Sequence, residues 1–133
     1  MSKVRIRVLV AEDDEVNARA ARTILEKLGC SVDVASNGME AVEHFRDRVY
    51  DLIMMDWQMP IMNGIEATAL IRATPRGKIT PIIGTTADKS RTECLQVGMN
   101  DVVPKPFLFK SMRHTLLRWT AWTGMPSPDP CQA

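Results

Sequence analysis

The chain has 133 residues, with 17 Lys+Arg against 16 Asp+Glu for a formal charge of +1, and 45% of it is hydrophobic. That length suits one compact domain able to bury roughly two-thirds of its unfolded surface, and the balanced charge leaves no electrostatic footprint for nucleic acid or an acidic membrane. No apolar run approaches the ~20 residues of a membrane span and MSKVRIRVLV lacks a signal-peptide pattern, while Cys30, Cys94 and Cys131 are too scattered for a disulfide scaffold or a zinc site, so a reducing cytoplasmic setting is expected.

Residues 4–11 alternate Val4, Ile6, Val8 and Val10 with charged neighbours and then turn wholly apolar, as a strand does on entering a covered sheet. Residues 15–28 place Ala18, Ala21, Leu25 and Leu28 on one helical face, with Gly29 in the C-terminal stop position. A short strand over 31–35 leads through the turn Ser36-Asn37-Gly38 to a helix over 39–46 that buries Ala41, Val42 and Phe45. Residues 51–55 form a nearly continuous apolar strand ending at Asp56. Met59-Pro60 breaks the chain, Asn63-Gly64 turns it, and 65–72 is helical. A fourth strand is expected over 81–86, a helix over 90–97 stopped by Gly98, a short strand at Val102-Val103 and a last helix over 108–119. In that helix Phe109, Met112, Leu116 and Trp119 mark one buried stripe. Five strands alternating with five helices indicate an α/β fold, a parallel sheet covered on both faces. The domain is expected to span 1–122. Residues 123–133 hold three prolines and read as a disordered tail or linker.

In such a sheet, ligands bind beyond the carboxyl ends of the strands. Strand 1 runs into Glu12-Asp13-Asp14, strand 3 into Asp56, strand 4 into Thr85-Thr86 and strand 5 into Lys105-Pro106. Asp13, Asp14 and Asp56 would repel one another without a cation among them. Hard oxygens of this kind suit Mg²⁺, and a lysine and a hydroxyl nearby suit the oxygens of a phosphoryl group. The chemistry implied is a phosphoryl site in which one aspartate is the nucleophile. Each residue alone has an ordinary reading as a cap, turn or surface group; the agreement of four strand ends is what makes the pattern specific.

VLVAEDD (8–14), LIMMDWQMPIMNG (52–64), PIIGTTA (81–87) and VVPKPF (102–107) resemble, in order and spacing, the landmarks of the response regulator receiver domain of two-component and phosphorelay systems. The stretch DWQMPIMNG is most similar to receivers of hybrid histidine kinases. The resemblance implies a doubly wound, flavodoxin-like sheet of order 2-1-3-4-5. It makes Asp56 the phosphoacceptor, with Asp13, Asp14, Asp56 and the backbone carbonyl of Gln58 around Mg²⁺, and Asp14 the likelier direct ligand of the acidic pair. It makes Lys105 the phosphoryl-pairing lysine, preceding a cis bond to Pro106, and Thr86 the switch hydroxyl. Thr85 competes for that last role, but alternation along the strand lets only one of the two reach the site. The chain departs from the family at Val102, where Tyr or Phe is usual, so a muted switch is expected.

The domain is then a phosphoacceptor for a histidine kinase or histidine phosphotransfer protein, a monomer or weak dimer rather than an enzyme, a stand-alone regulator or part of a hybrid kinase. Val16, Asn17 and Ala20 of the first helix offer a landing surface for the donor. A haloacid-dehalogenase-type hydrolase needs an acid where Gln58 stands, and a flavodoxin-like FMN carrier would not place AEDD against a phosphate. A receiver without phosphoryl chemistry would lack Asp56 or Lys105. His44 and His114 read as surface residues.

Overall fold

The computed structural model describes residues 5–88 and 91–123. The strands are β1 (Arg7–Ala11), β2 (Ser31–Ala35), β3 (Leu52–Asp56), β4 (Ile82–Thr86) and β5 (Asp101–Pro104). The helices are α1 (Glu15–Lys27), α2 (Gly38–Asp47), α3 (Gly64–Arg72), α4 (Arg91–Gln96) and α5 (Phe109–Trp119), and one 3-10 turn covers Arg76–Lys78. All four pairings are parallel and the order is β2-β1-β3-β4-β5, the architecture expected.

Because side chains alternate along a strand, each strand feeds two cores. Val8, Val10, Leu52, Met54 and Ile83 pack with Ala21 and Leu25 of α1 and Met112 and Leu116 of α5. Leu9, Ala11, Ile53, Met55 and Ile82 pack with Phe45 of α2, Ile71 of α3 and Cys94 of α4. β3, central and covered on both faces, is buried at all five positions. That leaves its last residue, Asp56, deep at the sheet's carboxyl edge.

Local signals set the helix ends. Gly29 takes φ +90°, which lets Cys30 N reach back to Leu25 O at 3.0 Å and close α1. Asn63 and Glu66 form a capping box at the start of α3. The last helix departs from expectation: Phe109 is 49% exposed, because it stands on the first turn of α5 at the rim beyond the sheet. Its expected place in the core is taken by Phe107 and by Trp122, whose indole Nε1 donates to Leu28 O at 2.8 Å. The stretch expected as a tail lies, from 124 on, outside the described residues.

Two polar nodes tie loops together. Arg72 donates from Nε to Gly98 O (2.9 Å), from Nη1 to Gly77 O (2.5 Å) and Thr80 O (2.7 Å), and from Nη2 to Asn100 Oδ1 (2.7 Å). Asp101 accepts from Arg91 Nε (3.0 Å), from the Trp119 indole (3.2 Å) and from Val102 N (2.9 Å), joining α4, β5 and α5.

Candidate functional site

Four strand ends converge on one rim. Asp56 closes β3 with 6% exposure. Glu12 follows β1, its N–H donating to Ala35 O at 2.9 Å, so its side chain leaves the sheet while still covered and is 2% exposed. Lys105, just past β5, reaches both: its Nζ is 2.7 Å from Glu12 Oε1 and 3.2 Å from Asp56 Oδ1. Asp13 completes a group in which one carboxylate oxygen each of Glu12, Asp13 and Asp56 lies within 4.8 Å of the others.

The electrostatics follow from this crowding. Burial pushes the Glu12 carboxyl up to about 7 against hydrogen bonds from Lys105 and Asp14 N, and the Asp56 charge adds to the rise. Burial opposes the Lys105 ammonium too, but the two carboxylates outweigh it and hold its pKa above the ordinary value. One ammonium thus serves two buried carboxylates.

The acidic pair that the structure brings to this rim is Glu12 and Asp13, one residue earlier than expected. Asp14 is exposed, lies outside the group, and caps α1, its Oδ2 accepting from Asn17 N at 3.4 Å. Its own N–H donates to Glu12 Oε2 at 3.1 Å. The signal for this was in the sequence: a helix beginning at residue 15 makes residue 14 its N-cap, and an aspartate there is the ordinary solution for the unpaired first-turn N–H groups.

A cleft of about 190 Å³ opens beside Asp56, lined by Asp56, Trp57, Gln58, Thr86, Ala87, Asp88 and Lys105. Of the two threonines, Thr86 lines it, while Thr85 is 1% exposed and pairs in register with Asp56 and Val103 within the sheet. Thr86 Oγ1 accepts from Asp88 N at 3.3 Å. The Lys105–Pro106 bond is cis. The loop after β3 folds back on the rim, with Gly64 N donating to Trp57 O at 3.0 Å. A Cβ at Gly64 would stand 2.0 Å from Asp56 O, so a side chain there would displace the end of β3 itself. Val102 is half-buried against the core on the α2–α4 face, and neither His44 nor His114 lines the cleft. Val16 is 75% exposed at the start of α1, while Asn17 and Ala20 are half-buried.

A family model described as response regulator receiver domain matches residues 8–117. The aerobic respiration control sensor protein ArcB of Escherichia coli (strain K12) is 43% identical over 104 residues, which cover 76% of this chain but 13% of ArcB. The chain therefore spans a small part of such relatives. The receiver domain of a sensor histidine kinase from Pseudomonas aeruginosa, solved with a magnesium ion coordinated in its active site cleft, superposes with a TM-score of 0.81 at 37% identity, covering 87% of this chain and 98% of that one. A Saccharomyces cerevisiae co-crystal structure of the histidine phosphotransfer protein Ypd1 with the receiver domain of the response regulator Ssk1 gives a TM-score of 0.79 at 30% identity, covering 89% of this chain and 92% of the other.

Proposed function

Since the chain belongs to the response regulator receiver domain family of two-component and phosphorelay systems, we propose that it accepts a phosphoryl group from a phosphohistidine onto Asp56. The observation that supports this most is the Asp56 carboxylate itself, buried at the mouth of the cleft and sharing the Lys105 ammonium with Glu12. An Asp56 oxygen attacks phosphorus in line with the P–N bond. That bond breaks, its electron pair returns to the imidazole nitrogen, the ring, protonated on its other nitrogen, leaves as neutral imidazole, and an acyl phosphate forms on Asp56. Lys105, already within ion-pair reach, turns from the Asp56 carboxylate to the new phosphoryl oxygens, and the Thr86 hydroxyl, which lines the same cleft, donates to them.

The donor set fits a divalent cation. Three carboxylates within 4.8 Å of one another have, among the described residues, one ammonium paired with them, and hard oxygens of this kind suit Mg²⁺. Glu12, Asp13 and Asp56 would hold it together with the backbone carbonyl of Gln58, and when bound it supplies positive charge beside the phosphoryl oxygens. The magnesium seen in the Pseudomonas receiver supports this.

The donor is a histidine kinase or a histidine phosphotransfer protein, in line with the sensor-kinase relatives and the Ypd1 complex of the yeast relative. Val16 at the start of α1, and Leu108 and Phe109 three and four residues after Lys105, are exposed and give such a partner apolar surface to cover. The domain acts as a signalling acceptor in the cytoplasm, and among the described residues no helix is long and apolar enough to cross a membrane.

The test is incubation with Mg²⁺ and acetyl phosphate followed by mass spectrometry of the modified peptide. Phosphate is expected on Asp56 alone and absent from Asp56→Asn. Phosphate on another residue, or undiminished labelling of the variant, overturns the reading.

A further inference from the structure

The loop from Trp57 to Asn63 contains the one non-glycine residue among those described with a positive φ: Ile61, at +70°. Met62 N donates to Pro60 O at 2.7 Å, so Pro60-Ile61-Met62 is a γ-turn of the positive-φ kind, which is rare and strained. A β-branched residue is the costliest occupant of such a backbone.

The surroundings explain the backbone. Gly38 N donates to Met62 O at 2.9 Å, Gly64 N closes the loop onto Trp57 O, and Met59 and Met62 pack against the core. These contacts hold residue 61 at positive φ whatever its side chain. They do not explain isoleucine. Glycine would adopt this turn without strain, and the fold buries little of Ile61, which is 77% exposed. Exposure alone would need no explanation, but an apolar β-branched side chain kept at a strained position and turned to water points to a contact made outside this chain.

Its place identifies the contact. Ile61 stands five residues after Asp56, at most about 18 Å along an extended chain and less in a loop that folds back on the rim. A protein donor covering about 800 Å² of this surface spans a patch of about 16 Å radius, and it must centre near Asp56 to bring phosphorus to that buried carboxylate. Resting on the phosphoacceptor reading above, the geometry points to Ile61 as a specificity-determining residue: an anchor, pre-set by the strained turn, that enters an apolar recess on the histidine-bearing donor protein. The rigid turn holds the side chain outward before the donor arrives, so less ordering is needed on binding.

The experiment compares wild type, Ile61→Gly and Ile61→Leu with two donors. One is acetyl phosphate, which needs no docking. The other is the phosphorylated histidine phosphotransfer protein, from a panel including yeast Ypd1, that transfers fastest to the wild type. Ile61→Gly is expected to raise the melting temperature by about 2 °C or more as strain is relieved, to raise KM for the protein donor about 10-fold through the lost apolar contact, and to leave the acetyl phosphate rate within about twofold. Ile61→Leu is expected to keep KM near the wild-type value. A melting temperature at or below that of the wild type, an unchanged KM for the protein donor, an equal loss with acetyl phosphate, or a wild type that takes phosphate from acetyl phosphate but from no protein donor each overturns the inference. If the wild type takes phosphate on Asp56 from neither source, the phosphoacceptor reading itself has failed.

Discussion

Glu12 and Asp14 make opposite predictions about the cation site, and one pair of substitutions separates them. Glu12→Gln keeps the shape and removes one of the three clustered carboxyl groups; Asp14→Asn removes the charge two residues further on but keeps a competent N-cap for α1. At the 4.8 Å that bounds the carboxylate group, with an effective dielectric of about 20, one pair of unit charges interacts by about 3.5 kcal/mol, and a divalent ion doubles that. Most of this gross attraction is returned, because a water replaces the lost ligand in the partly open cleft. The remaining loss of about 1.5–3 kcal/mol corresponds to Mg²⁺ binding roughly 10- to 100-fold more weakly in Glu12→Gln. Asp14→Asn should stay within about threefold of wild type, since that carboxylate is exposed and outside the group. The assay is a Mg²⁺ titration read by tryptophan fluorescence, Trp57 lining the cleft beside Asp56. If Asp14→Asn weakens Mg²⁺ as much as Glu12→Gln does, the register derived from the structure is wrong.

Arg72→Met should cost about 3 kcal/mol in urea unfolding at unchanged m-value, since four hydrogen bonds from one half-buried guanidinium are lost at once, while phosphorylation by acetyl phosphate persists; a loss below about 1 kcal/mol would show that water replaces the guanidinium. Burial works against the Asp101 carboxylate, yet hydrogen bonds from Val102 N, the Trp119 indole and Arg91 hold its pKa below the ordinary value. Its stabilisation is therefore present above the unfolded carboxyl's pKa and lost as pH falls through the lower folded one. Asp101→Asn should be about 1 kcal/mol less stable than wild type at pH 7, with the gap closing as pH falls below the ordinary carboxyl range; a gap that does not change with pH would rule out the ionised carboxylate as its source.

The elements and their order along the chain were legible in the sequence, because a strand buried on both faces and an amphipathic helix leave different periods in the pattern of apolar residues. β3 shows this at Leu52–Asp56, every residue buried, and α1 shows it at Ala18, Ala21 and Leu25. Asp56 and the Thr85-Thr86 pair as strand ends, and Lys105 just past the last strand, followed from the same reading, while the choice of Thr86 over Thr85 came with the family resemblance. The alternation of strands and helices indicated a parallel sheet, but its strand order 2-1-3-4-5 came only with the family resemblance, and the structure has it.

What the linear pattern left open are distances between residues remote in the chain. Whether Glu12 or Asp14 faces Asp56 depends on how far β1 runs before the chain turns into α1; a one-residue shift there sends a carboxylate to the other side of the loop. Phe109 fits the helical period of a buried stripe, but it opens α5 and is left 49% exposed, whereas Met112 and Leu116 further along the same face are buried. Lys105 meets Glu12, Arg72 meets Asn100 and Trp122 meets Leu28 across 93, 28 and 94 residues. The turn at Ile61 is of the same kind, since its positive φ is imposed by Gly38 and by the packing of Met59 and Met62. Period and propensity act over a few residues, whereas these contacts are selected by the shape of the finished sheet, and so only the tertiary structure decides them.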